Sequence, residues 1–120
     1  MPGRLHTVAE TPQFARDAAR LGLSEDEVMA IVNAIAADPL QGDEVQGSGG
    51  VRKVRIAGRG RGKSGGYRLM VAFVGEEAPA YLLALLSKGQ RANFTAQQVA
   101  AMRALTTVIK QMWRARRKKR

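Results

Sequence analysis

Apolar residues recur at helical spacing from Phe14 through Ala15 and Ala18 to Leu21, behind Thr11-Pro12, an N-cap residue followed by proline at the first helical position. This pattern predicts a short first helix ending at Gly22. Leu23-Ser24-Glu25-Asp26-Glu27-Val28 then reads as a capping box, Ser24 with Glu27, framed by a staple of Leu23 on Val28. A second helix follows, with Val28, Ile31, Val32 and Ile35 as its buried stripe and Asp38-Pro39 as its stop. Near the C-terminus, Asn93-Phe94-Thr95-Ala96-Gln97-Gln98-Val99 repeats the same logic, with Thr95 and Gln98 as the box and Phe94 stapled to Val99. The last helix carries Val99, Met102, Leu105, Val108/Ile109 and Met112/Trp113 as its stripe.

Between the helices the period changes. Leu5 to Ala9 is a possible edge strand, and residues 41–50, QGDEVQGSGG, form a loop by composition. Val51 to Ile56 alternates, with Val54 and Ile56 on one face and Lys53 and Arg55 on the other, which predicts a strand with a basic face. Gly58 to Gly66, GRGRGKSGG, cannot continue a strand and is the tip of a β-hairpin arm. Tyr67 to Val74 and Ala80 to Leu86 are apolar on both faces and read as two central antiparallel strands. The predicted fold class is α+β, with N-terminal helices and a C-terminal helix on an antiparallel sheet of three to four strands.

Composition narrows the chemistry. The 120 residues include no cysteine and one histidine, which excludes Cys or Cys/His zinc sites, iron–sulfur clusters, disulfides and thiol nucleophiles. No cofactor or metal is expected. The longest apolar run, Ala78 to Leu86, contains Pro79 and falls far short of the ~20 residues that span a bilayer. MPGRLHTVAE lacks the apolar core of a signal peptide. These features predict a soluble, cytoplasmic protein without a membrane partner. One domain is expected over residues 1–112, followed by a basic tail over 113–120.

Charge is unevenly placed. Residues 1–44 hold eight acids and three bases, net −5, whereas the rest holds 17 Lys/Arg against Glu76 and Glu77, net +15. A field of this size draws polyanions and makes their binding salt-dependent. Lys53, Arg55, Arg61, Lys63 and Arg68 bracket the hairpin, and Lys88 with Arg91 closes the next strand. An antiparallel sheet can bring them to one side, where arginine grips a phosphate bidentately. Arg68 stands inside an apolar strand, so it either meets an acid such as Glu76 or Glu77 or faces a wet cleft. Further nucleic-acid contacts are expected from Arg52, Arg59, Arg61 and Lys63, and from the terminal run Arg114, Arg116, Arg117, Lys118, Lys119 and Arg120.

Other motifs carry less. Ala57 to Ser64 satisfies a loose P-loop pattern, yet a Gly-Gly pair and a strand follow it instead of the helix whose amides would face a phosphate. His6 stands alone and is read as a surface or packing residue. Phe94 and Trp113 can stack on bases, but the staple and the helix stripe already account for them.

The order helix, helix, Gly49-Gly50-Val51-Arg52-Lys53-Val54-Arg55, Gly62-Lys63-Ser64-Gly65-Gly66-Tyr67-Arg68, an apolar strand pair ending in Ser87-Lys88 and a helix opened by Phe94-Thr95-Ala96-Gln97-Gln98 resembles the RelE/HigB superfamily of toxins, most closely its HigB-like branch. The resemblance implies the toxin of a type II toxin–antitoxin pair that enters the ribosomal A site and cuts messenger RNA. It implies as partners the ribosome, mRNA and an antitoxin of helix-turn-helix type, and leaves the oligomeric state open. Carried over by position, Lys53 and Arg55 match the family's basic strand, Arg68 its phosphate-binding arginine, and Lys88 or Arg91 the basic residue after the last strand.

On this reading Arg68 clamps the scissile phosphate, Lys53 serves as general base or acid, and Lys88 or Arg91 stabilises the transition state. Arg55 belongs to the same catalytic set, although a guanidinium is a poor proton shuttle. The sequence has Phe94 where some RelE-type members have a tyrosine. Three other readings fit the same charges: a noncatalytic nucleic-acid-binding module, a ParE-like toxin that poisons gyrase, and a protein whose Lys63 and basic tail bind acidic protein surfaces only.

Overall fold

The computed structural model describes residues 5–57, 66–87 and 93–118. Thr11 caps α1 (Pro12–Arg20) by accepting the Phe14 amide at 3.2 Å. The Ser24–Glu27 box at the head of α2 (Glu25–Ala37) closes with both reciprocal bonds, 2.8 and 3.1 Å. At α3 (Ala96–Lys118), Thr95 and Gln98 exchange the same pair at 2.9 and 3.1 Å. In each case a local side chain satisfies amides that the first turn leaves orphaned. α3 runs unbroken through residue 113 into the expected tail.

The sheet has five strands in the order β1-β5-β4-β3-β2, comprising β1 (Val8–Glu10), β2 (Asp43–Glu44), β3 (Val51–Ile56), β4 (Tyr67–Ala72) and β5 (Ala80–Ser87). It departs from the expected antiparallel sheet of three to four strands in two ways. β1 starts at Val8 instead of Leu5 and pairs parallel with β5, and the 41–50 loop contains the two-residue β2. Strands of two or three residues are too short to display a period in the sequence. β4 ends at Ala72, two residues before the apolar run does, and β5 extends to Ser87.

Two cores lie on the two faces. Phe14, Ala18, Ile31 and Ile35 from α1 and α2 pack with Val54, Leu69, Val71, Leu82 and Leu85. On the opposite face Ile109, with Met102 and Trp113 beside it, joins Val51, Met70 and Ala72. The 45–50 turn is pinned to α3: Thr106 Oγ1, fully buried, donates to the Ser48 carbonyl at 2.8 Å, while Ser48 Oγ donates to the Val45 carbonyl at 2.6 Å and accepts the Val51 amide at 2.9 Å. Gly49 and Gly50 have φ of 81° and 134°, and a Cβ on them would lie 2.5 Å from Thr106 Oγ1 and 2.9 Å from the Phe73 carbonyl. The glycines that open the basic-strand motif therefore seat the start of β3 against α3 and β4.

Asp17 takes the place in the α1 stripe where Ala15 was expected; Ala15 is exposed and Asp17 is buried. Its carboxylate accepts the Leu85 amide at 2.9 Å, Gln13 Nε2 at 2.8 Å and Arg20 at 2.8 Å. β5 is thereby satisfied beyond Leu82, where its pairing with β1 ends. Burial alone would raise the pKa of Asp17, but the Leu85 amide, Arg20 and Gln13 outweigh it and hold the carboxyl below its usual range. Because the native pKa lies below the unfolded one, this stabilisation is complete above the ordinary carboxylate range and is lost as pH falls through the native value. Asp17→Asn is expected to cost about 2 kcal/mol in urea unfolding at pH 7, with the gap to wild type closing as the pH is lowered into the acid range.

Candidate nucleic-acid interface

Alternation along β3 sends Val54 and Ile56 into the α1/α2 core and leaves Val51, Lys53 and Arg55 on the α3 side. On β4, Tyr67, Leu69 and Val71 face α1 and α2, so Arg68, Met70 and Ala72 share the face of Lys53 and Arg55. The antiparallel register then places Arg55 directly opposite Arg68, and Lys53 opposite Met70. Directly paired residues have Cβ atoms ~5 Å apart, within reach of a single phosphate. Leu86, which pairs with Arg68 from β5, adds an apolar flank.

α3 does not cover this corner. Its contacts run from Val45 and Val51 across to Tyr81, whose hydroxyl accepts Trp113 Nε1 at 3.0 Å near the β4–β5 turn. Arg55 is exposed, and Lys53 and Arg68 are half-buried. Among the described residues the ion pairs are Arg20–Asp17 and Arg52–Glu44, so neither Arg55 nor Arg68 is neutralised by an acid there. Glu76 and Glu77 sit in the turn beyond the far end of β4. Arg68 does not meet Glu76 or Glu77, and its half-buried side chain forms no ion pair with an acid among the described residues.

The remaining cations divide. Arg52 lies on the opposite face of β3 from Lys53, and its guanidinium donates to the carbonyls of Gln41 (3.1 Å) and Gly42 (2.9 Å) beside Glu44 at 3.8 Å, which holds β2 to β3. Sequence reasoning assigned it to nucleic acid; here it secures the edge strand. Arg114 and Arg116 are exposed on the last turns of α3, with Arg116 stacked 4.9 Å from the Trp113 ring centroid, and the backbone of Arg117 and Lys118 continues that helix. This end lies by the β4–β5 turn, beyond Ala72, which is four residues along β4 from Arg68, or ~14 Å at the rise of a strand. The single basic half of the sequence thus becomes two separate basic regions. Arg59, Arg61, Lys63, Lys88, Arg91, Lys119 and Arg120 lie outside the described residues. Met70 and Leu86 are the members of this face that the sequence reading passed over. The two-residue step from Arg68 pointed to Met70, whereas Leu86 needed the β4–β5 register.

His6, read as a packing residue, has its ring Nε2 2.8 Å from the Ala78 carbonyl and an edge contact to Phe73 at 5.0 Å between centroids. No three His, Asp or Glu side chains converge as a metal-binding group among the described residues.

A family model described as the RelE toxin of the RelE/RelB toxin–antitoxin system matches residues 6–119. The chain belongs to the RelE toxin family. The match is to RelE and does not single out the HigB-like branch. A free-state structure of Escherichia coli toxin RelE, carrying two arginine-to-alanine substitutions, superposes with a TM-score of 0.52 at 13% identity, over 83% of this chain and 95% of that one. The α+β fold is therefore shared. As a family member the chain is the toxin half of a toxin–antitoxin pair and has an antitoxin partner. Among the described residues no helix is long and apolar enough to cross a membrane.

Like charges directly opposite on a sheet are destabilising. Arg55→Thr is accordingly expected to raise stability by about 0.5 kcal/mol at low salt, a gain that added salt screens away. Arg52→Ala is expected to lower it by about 1–2 kcal/mol. Urea unfolding of both variants at two ionic strengths checks the opposite signs.

Proposed function

We propose that this RelE-family toxin is a translation-blocking endoribonuclease that cuts messenger RNA on the ribosome without a resident metal. The observation that carries the reading is the Arg55–Arg68 cross-strand pair, with Lys53 on the same face of the sheet. Two guanidiniums held at neighbouring positions suit a group that gains negative charge in the transition state, and a phosphate passing through a pentacoordinate state is such a group.

In the proposed reaction the 2′-oxygen attacks the adjacent phosphorus and the bond to the 5′-oxygen breaks. The 2′-proton passes to a base, and the departing 5′-oxygen receives a proton. The products are a 2′,3′-cyclic phosphate and a 5′-hydroxyl, so DNA, which lacks the nucleophile, is not cut. Arg68 grips the scissile phosphate, Arg55 adds a second clamp, and Lys53 holds or moves a proton. Lys88 or Arg91 follows the end of β5, at Ser87, which pairs with Tyr67 beside Arg68; one of them completes charge neutralisation. The ribosome orients the message in line, supplying organisation that a small open face lacks. Leu86, half-buried and paired with Arg68, gives the sugar or base an apolar flank. The terminal run 113–120 and the hairpin tip cations Arg59, Arg61 and Lys63 hold RNA backbone without reading sequence. The protein acts in the cytoplasm, and its antitoxin is of the helix-turn-helix type.

Induction from a tightly controlled promoter, with 5′ ends of cellular RNA mapped within minutes, tests this. New ends inside translated messages are expected for wild type and at least 100-fold fewer for Arg68→Ala, a clamp worth about 3 kcal/mol. Growth arrest without new ends, or with DNA damage instead, would overturn the reading in favour of noncatalytic binding or gyrase poisoning.

A further inference from the structure

The two residues of β2 are both acids, and they stand on opposite faces of the sheet. Glu44 pairs with Arg52 and lies 3.8 Å from its guanidinium. Asp43 pairs directly with Lys53, so its side chain stands on the other face, the one that carries Arg55 and Arg68. Gly42 lets β2 come this close, because its φ is 86° and a Cβ there would run into the Lys53 carbonyl oxygen. Arg52 fastens the same segment by donating to the Gln41 and Gly42 carbonyls. The Asp43 carboxylate is therefore delivered to the cationic face by a tied edge, yet it is exposed and takes part in no ion pair among the described residues. Glu44, Arg52 and Gly42 hold β2 in place without it.

We propose that Asp43 is the general base of the cut, an assignment that rests on the endoribonuclease reading above. Closing a 2′,3′-cyclic phosphate needs a group that takes the 2′-proton, and this face is otherwise cationic. Guanidinium and ammonium groups donate and do not accept. Asp43 is the one carboxylate on the Lys53 face of β2, β3 and β4 among the described residues. Sheet order also sets a direction. Phosphorus held at the Arg55–Arg68 pair has β2 on one side and β5 on the other, and the attacking and leaving oxygens must lie in line on opposite sides of it. The 2′-oxygen on the β2 side meets Asp43, and the 5′-oxygen departs toward β5. Direct partners have Cβ atoms ~5 Å apart and diagonal ones ~7–8 Å, so with Lys53 opposite and Arg55 diagonal the carboxylate reaches the 2′-hydroxyl directly or through one water. In the step the O2′–H bond breaks and its proton goes to the Asp43 carboxylate, while the electron pair left on O2′ forms the bond to phosphorus. The bond from phosphorus to the 5′-oxygen breaks with its electron pair on that oxygen, which takes a proton from water. Lys53, on the strand between, balances the charge that moves.

The test uses the intact protein on translating ribosomes carrying a defined message, with wild type beside Asp43→Asn, Asp43→Glu and Glu44→Gln. Asp43→Asn is expected to slow cutting about 100-fold, while a message with 2′-deoxyribose at the cut position binds as it does to wild type. Asp43→Glu should stay within about tenfold of wild type, and Glu44→Gln, on the other face, within about twofold. The pH–rate profile separates a base from a mere support. Wild type loses rate on the acid side as its carboxylate takes up a proton, and that limb is absent from Asp43→Asn. The charged groups facing Asp43 from β3, Lys53 and Arg55, are the same in both proteins. Undiminished cutting by Asp43→Asn, an unchanged acid limb, or loss of message binding together with cutting would overturn the assignment. A wild type that leaves the message whole would instead overturn the endoribonuclease reading, and the assignment with it.

Discussion

Arg55 and Arg68 face one another across β3 and β4, and every functional statement about this chain depends on that register. Two positive side chains at directly opposed positions repel, so the register is held from elsewhere. The opposite face holds it: Val54 and Leu69 pair directly and are buried at 3% and 0% exposure, with Val71 buried beyond them. A slip of one residue would send the arginines into the α1/α2 core and the apolar residues into water. Hydrophobic burial on one side of the sheet thus offsets charge concentration on the other.

The same logic extends to the supports. β3 begins where it does because Ser48 ties the preceding turn and Thr106 locks that turn to α3. β5 keeps its place beside β4 although its own outer pairing ends at Leu82, because Thr11 and Asp17 of the α1 segment take over its backbone groups. A buried carboxylate is costly unless it is fully bonded, and Asp17 has three donors. The basic face is therefore mounted on a sheet whose edges are closed by side chains. α3 crosses the same sheet face at its other end and leaves the cationic corner open.

Much of this was legible. The three capping signals, the stop at Asp38-Pro39 and the bounds of β3 follow from local chemistry, which a sequence displays directly. So does the basic face of β3, since a period of two assigns Lys53 and Arg55 to one side without knowledge of any partner strand. What the sequence withheld was relational. That Arg55 meets Arg68 requires the β3–β4 register, and that Arg52 is occupied by the Gln41 and Gly42 carbonyls requires the fold of the loop beside it. The separation of the terminal basic run from the sheet cluster depends on the direction in which α3 crosses. Asp17 escaped notice because an acid inside an apolar stripe reads as a solvated residue until the Leu85 amide is placed above it.

The account's central claim is that the open Lys53/Arg55/Arg68 face promotes attack by a message's own 2′-oxygen. Purified translating ribosomes, a defined message and the intact protein, with wild type beside Arg68→Ala, allow the chemistry of the cut ends to be read directly. The account predicts 5′-hydroxyl and 2′,3′-cyclic phosphate ends with wild type, and their loss in the folded Arg68→Ala protein. Ends bearing 5′-phosphate, or cutting that persists undiminished without Arg68, would contradict it.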